Sequence, residues 1–153
     1  MKNRFVSFLI IFVVYVLATI LGIVLFPIIK LPNLMVRFLV IDLICTVFVY
    51  IFSMLFNNAS IYDPYWSVAP MVIIPCFMIE LGVYNVLVYI ILALYLIWGL
   101  RLTLNWAYTF KNLKHQDWRY QMYQDKHPKL WFLINLFGIH LMPTFIVYLG
   151  MLP

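Results

Sequence analysis

From Phe5 to Phe26 the chain carries no charged residue. That run of about 22 positions covers roughly 30 Å as an α-helix, the thickness of a bilayer's hydrocarbon core. It is about twice as long as a signal-peptide core, and no small-residue cleavage pattern precedes Pro27. Met1-Lys2-Asn3-Arg4 therefore reads as the flank of a retained helix rather than the start of a leader. Composition extends the conclusion to the whole chain. Of 153 residues, 67% are hydrophobic and 10% charged, against about 25% charged in an ordinary soluble domain. Five acids and ten Lys/Arg cannot solvate the outside of such a particle. The same richness in aromatic and β-branched residues excludes disorder. Cys45 and Cys76 lie in apolar runs with no CxxC spacing, which excludes a disulfide scaffold. The expectation is an all-α integral membrane bundle, with residues 1–153 forming one membrane domain.

Five spans are expected, at about 5–26, 34–56, 66–80, 83–104 and 130–152, with polar loops at 57–65 and 105–129. The third is the short one. Val68–Glu80 is interrupted by Pro70 and Pro75, a pattern equally suited to a re-entrant segment. Charge decides between the two. Lys2 and Arg4 mark the N-terminus as cytoplasmic, and Lys111, Lys114, Arg119, Lys126 and Lys129 mark their loop the same way. Both can be inside only across an even number of crossings, so the third segment should cross. The protein is then a multi-pass protein of the cell membrane. The net charge of +5 falls mostly in that one loop, where it suits anionic lipid; nucleic acid normally needs a wider basic surface.

Polar residues gather on the cytoplasmic side of this topology. Tyr62, Asp63 and Tyr65 lie between the second and third spans, Arg101 and Asn105 share one face of the fourth, and Asp117, Arg119 and Tyr120 follow in the basic loop. An arginine near a membrane face can clamp a phosphate, and an acid beside a tyrosine can polarise or shuttle a proton. The plainer reading stands beside this one: Arg101 as an interfacial anchor, and Asp63-Pro64 as a capping turn. Asp42 and His140 are deep in separate spans. They can form a pair, or each can be satisfied by a nearby carbonyl or hydroxyl. No metal site is expected, because His115, Asp117 and His127 lack ligand spacing on one helix face. The sequon Asn58-Ala59-Ser60 falls on the cytoplasmic side, where it has no meaning for glycosylation.

Three ordered motifs make the chain familiar: Asn58-Ala59-Ser60-Ile61-Tyr62-Asp63-Pro64-Tyr65-Trp66-Ser67-Val68-Ala69-Pro70, then Trp98-Gly99-Leu100-Arg101-Leu102-Thr103-Leu104-Asn105-Trp106, then Gln116-Asp117-Trp118-Arg119-Tyr120. Together they resemble the steroid 5α-reductase family, and most of all its bacterial branch of multispan membrane proteins. The resemblance implies an oxidoreductase that uses NADPH to reduce a C=C bond conjugated to a carbonyl in a lipophilic substrate. It also implies that an acid and a tyrosine polarise that carbonyl. It matches Asp63 to the loop acid, where family reductases more often carry a Gln-Glu pair, with Tyr62 or Tyr65 as the phenol because Trp98 occupies the expected tyrosine position. Arg101 matches a cofactor-contacting arginine, with Asn105, Asp117, Arg119 and Tyr120 as its companions.

The family's Arg-His-Pro-Asn-Tyr-type signature, in a further set of helices, has no counterpart before Pro153. The chain is thus expected to be an N-terminal half that is incomplete or inactive alone. Either the rest is encoded separately, as a C-terminal partner half, or the chain is a truncated product, or the activity is lost. A homo-oligomer is the other partner expected. Two other readings stay open. One is a non-enzymatic bundle that binds lipid or a membrane partner. The other is a small transporter with Asp42 on its path, although no internal repeat is visible.

Overall fold

Asparagines open the long helices. In the computed structural model, which describes residues 3–152, the side chain of Asn3 accepts from the N–H of Phe5 at 2.9 Å, Asn33 from Met35 at 2.9 Å, and Asn85 from Val88 at 3.0 Å. Each meets amides that a helix start leaves orphaned. These caps set the starts of α1 (Arg4–Ile28), α2 (Leu34–Leu55) and α4 (Val86–Thr109). A helical turn, Ala59–Ile61, leads into α3 (Tyr65–Leu81). A short α5 (Trp118–Lys126) precedes α6 (Trp131–Met151). Five of these helices are long and apolar enough to cross a membrane, and regular structure among the described residues is helical throughout. Lys2 and Pro153, used above for orientation and for the chain end, lie outside the described residues.

Two boundaries differ from the expected spans. The fourth helix begins at Val86 rather than 83, because Gly82 takes a left-handed conformation (φ 62°) that ends α3, and Asn85 then caps the next helix. It also runs on to Thr109, so Asn105 is helical and not in a loop. The segment 118–126, expected as loop, is a helix capped by Asp117.

The helices pack in the order α1, α2, α6, α3, α4. The ring is incomplete. α1 meets α4 at one membrane face, where Arg4 donates to the carbonyls of Ala107 (2.6 Å) and Tyr108 (3.2 Å) and Phe8 packs edge-on against Trp106. The N-terminal flank and the basic connection therefore share a face, as the parity argument required. Away from that face α1 and α3 separate.

α6 contains a wide π-helical stretch, Ile134–Leu141, directly before Pro143. Proline has no N–H for the carbonyl four residues back and crowds it sterically, and the wider turn relieves both problems. At the opposite face, Arg37 stacks on Phe26 at 3.7 Å and donates to that residue's carbonyl, closing the end of α1 instead of reaching outward.

Candidate functional site

The turn 57–64 is held from three sides, and its neighbouring residues are sent to different helices. Tyr62 is buried and its hydroxyl lies 2.6 Å from Thr144 Oγ1 on α6. Asp63 is half-buried, and its Oδ1 accepts from the Tyr120 hydroxyl on α5 at 2.5 Å. Tyr65 donates to Asp42 Oδ1 on α2 at 3.0 Å. Of the three residues expected as one catalytic group, the Tyr62 and Tyr65 rings pack together at 5.5 Å, while Asp63 between them bonds Tyr120 on α5. Asp63 does not act as a cap: Pro64 stands at the α3 cap position with no side-chain bond.

The connection 110–117 folds down over the same turn. Asn58 donates to the carbonyl of Leu113 (2.9 Å), Gln116 Oε1 accepts from the N–H of Ala59 (2.8 Å), and Ser60 Oγ accepts from the N–H of Asp117 (2.9 Å). Asn58 and Ser60 are buried, so the sequon's amide is committed to structure.

Asp117 and Arg119 pair with each other through two bonds, at 3.0 and 3.1 Å. The hydrogen bond from Arg119 holds the Asp117 carboxyl below its usual range, and the same bond raises the Arg119 guanidinium. Burial, and then the neighbouring Asp63, push the Tyr120 phenol up, so it stays a protonated donor. Arg101 and Asn105 stand exposed on α4, and among the described residues neither side chain shares a hydrogen bond or ion pair with this cluster. The five residues expected to hold NADPH therefore form no single cradle: one guanidinium is neutralised by Asp117, the other stands exposed, and the phenol is spent on Asp63.

A different site was missed. Where α1 and α3 separate, a groove of about 310 Å³ opens between α1, α2 and α3. It follows α3 from Tyr65 to Glu80, about 22 Å at helical rise. Its walls are apolar, with Phe26, Ile41 and Val72 among them, and its buried polar feature is the Asp42–Tyr65 pair. Apolar clefts with a few placed polar groups are the ordinary form of small-molecule sites. The sequence did flag Asp42 as an intramembrane acid. Of the two readings open for Asp42 and His140, the local one holds: Asp42 accepts from the Tyr65 hydroxyl, and His140 Nδ1 bonds the Asn135 carbonyl at 2.9 Å. A carbonyl oxygen only accepts, so that nitrogen carries the proton.

Fold and site define a class: a multi-pass helical membrane protein with a groove between its helices and an acid–tyrosine pair on the groove wall. The family described as "Protein of unknown function (DUF1295)" matches residues 49–153. That is more than half of the chain, and the chain belongs to this family, which is related to steroid 5α-reductase-like membrane proteins. Comparisons with curated proteins and with solved structures return no match.

Proposed function

We propose that the chain binds a lipophilic carbonyl compound in the α1–α2–α3 groove, and that Asp42 and Tyr65 polarise the carbonyl as the substrate side of a conjugated C=C reduction. One observation carries this reading: of the two acid–tyrosine pairs in the fold, the one that lines the apolar groove is Asp42–Tyr65. The Tyr65 phenol has one proton and gives it to Asp42 here. With Asp42 protonated, the carboxyl can donate to the phenol oxygen instead, which leaves the Tyr65 proton for a carbonyl oxygen that gains negative charge. NADPH enters as reductant on the strength of the resemblance alone. The scattered residues named above do not fit it as a set, so no hydride step is derived. A second reading, a lipid-binding protein without catalysis, rests on the same groove and that same scatter.

Titrating the chain in nanodiscs with a steroid 4-en-3-one, with and without NADPH, tests both. Hydrogen bonding to the carbonyl shifts the enone's ultraviolet band to the red. Tyr65→Phe and Asp42→Asn are expected to lose that shift and to weaken binding roughly 10- to 100-fold, the effect of losing a charge-assisted bond. A saturable red shift that survives in both variants sinks the proposal. Binding without any shift favours the lipid reading.

We further propose that the face carrying Arg4, Lys111, Lys114, Lys126 and Lys129 is cytoplasmic in the cell membrane, supported by the excess of Lys and Arg there. A cysteine placed in the 110–130 connection should resist a membrane-impermeant thiol reagent in intact cells; labelling as fast as in lysed cells reverses the orientation.

A further inference from the structure

A second apolar groove, of about 560 Å³, runs along α1 toward the basic face, between α1, α3 and α4. Phe8, Phe12 and Val16 of α1, Val68 of α3, and Thr103 and Trp106 of α4 line it. Tyr15, Thr19 and Val68 line both grooves, so these three side chains are the wall between them. The second groove follows α1 from Phe8 to Ile20, about 18 Å at helical rise. That is close to the depth of hydrocarbon in one leaflet, roughly 15 Å. Every polar side chain on its wall is already bonded to protein. Tyr15 donates to the carbonyl of Ile61 (2.6 Å), Thr19 to that of Tyr15 (2.9 Å) and Trp106 Nε1 to that of Ser60 (3.2 Å), while Thr103 is bonded to Ser67 (3.0 Å). No donor is left for a guest, so a carbonyl would go unmet there and hydrocarbon fits.

The head of the groove has the opposite character. Arg4 stands one turn above Phe8 on the face of α1 that lines the groove, its guanidinium carbon 5.5 Å from the centre of the Phe8 ring. Its bonds to α4 use Nη2 alone, so Nε and Nη1 have no protein partner among the described residues. The connection after α4 brings two more cations beside it. Phe110 packs on Phe8 at 5.5 Å, and the N–H of Leu113 donates to Ser7 Oγ at 3.2 Å. These contacts place Lys111 and Lys114, both exposed, along the first two turns of α1. Among the described residues no carboxylate pairs with any of the three; the ion pair of this face is Asp117–Arg119.

We propose that an anionic phospholipid of the leaflet at the basic face binds here, its phosphate held by Arg4, Lys111 and Lys114 and one acyl chain lying in the α1–α3–α4 groove. Charge selects the head, because three unpaired cations attract a lipid of net negative charge over a zwitterionic one. The groove selects the tail, being apolar, without a free donor and one leaflet deep. A chain in that place fills the gap where α1 leaves α3, and it backs the wall of Tyr15, Thr19 and Val68 that the Asp42–Tyr65 groove shares. The site is separate from carbonyl binding and does not depend on it.

Brominated phosphatidylglycerol, titrated into phosphatidylcholine nanodiscs that carry the full chain, tests this through tryptophan fluorescence. Bromine quenches on contact, and Trp106 is the tryptophan that lines this groove. A saturating phase of quenching is expected, absent with brominated phosphatidylcholine and lost in Trp106→Phe. Lys111→Gln with Lys114→Gln leaves the Arg4 bonds to α4 intact. This pair should raise the half-saturating fraction of phosphatidylglycerol roughly 10- to 30-fold. Val16→Phe, at an exposed position on the groove wall, fills the groove and should abolish the phase with all three cations in place. It also serves if Trp106→Phe does not fold. Quenching that does not saturate, or that is equal for the two lipids, overturns the site, because the groove then holds bulk lipid. A saturating phase unmoved by either the lysine pair or Val16→Phe overturns it as well. If the enone removes the phase competitively, the groove belongs to the carbonyl compound and the lipid site falls.

Discussion

Gly99→Ala is expected to destabilise the bundle by about 1–3 kcal/mol, although alanine is the better helix former by about 1 kcal/mol. The two effects oppose each other, and geometry decides. A Cβ at Gly99 would lie 2.5 Å from the backbone carbonyl oxygen of Ser67 and 3.0 Å from the Met71 sulfur. The methionine can move; the carbonyl belongs to α3 and cannot move without the helix. Gly99 is also the residue that α4 buries, so the α3–α4 contact depends on this close approach. One turn on, Thr103 Oγ1 meets Ser67 Oγ at 3.0 Å, a bond that holds only while the backbones stay close. Trp66 and Trp98 pack edge-on beside the same contact. Gly99→Leu, with no space at all, should detach α4. Thermal unfolding in detergent, with a cysteine cross-link between α3 and α4 as local reporter, measures both. Unchanged stability and unchanged cross-linking in Gly99→Ala would remove this contact from the fold.

That crossing shows what could and could not be read beforehand. The five helices were legible because each is a long apolar run, and the even number of crossings followed from where Lys and Arg sit. The start of α4 was also legible in principle: Gly82 and Asn85 are stop and start signals, but hydropathy outweighed them and placed the helix three residues early. Gly99 and Thr103 repeat the small-residue spacing of four that lets membrane helices approach. No two glycines stand at that spacing in this sequence, so the commonest form of the signal is absent.

The site was less legible for a different reason. Asp42 and Tyr65 become a pair only through the packing of two helices, and a linear motif cannot report that. The motif instead suggested Tyr62, Asp63 and Tyr65 as one group; the two tyrosines, three positions apart, do pack together, whereas Asp63 between them turns to α5. The π-helical stretch was invisible too, since Pro143 alone announces a kink and not its form.

The second large effect concerns the other acid–tyrosine pair. Tyr120→Phe is expected to cost about 1.5–3 kcal/mol, the range for losing a hydrogen bond to an ionised group. Tyr120 is the one hydrogen-bond partner of Asp63 among the described residues, and without it a half-buried carboxylate is left unmet. The bond ties α5 to the turn ahead of α3, and Gln124 adds a second tie to Asn57 at 2.8 Å. Its loss should therefore free α5, seen as faster hydrogen exchange at 118–126, while enone binding in the groove stays as in wild type. Asp63→Asn should cost less, because a neutral amide is cheaper to leave half-buried than a charge. The double variant should then fall short of the sum of the two, since both act on one bond. The contrast with Tyr65→Phe separates two roles for similar chemistry. If Tyr120→Phe abolishes enone binding or turnover with α5 still protected, the reacting acid is Asp63 after all, as the linear motif implied. If binding survives and α5 loosens, Asp63–Tyr120 is the latch that closes the basic face, and substrate chemistry belongs to Asp42 and Tyr65.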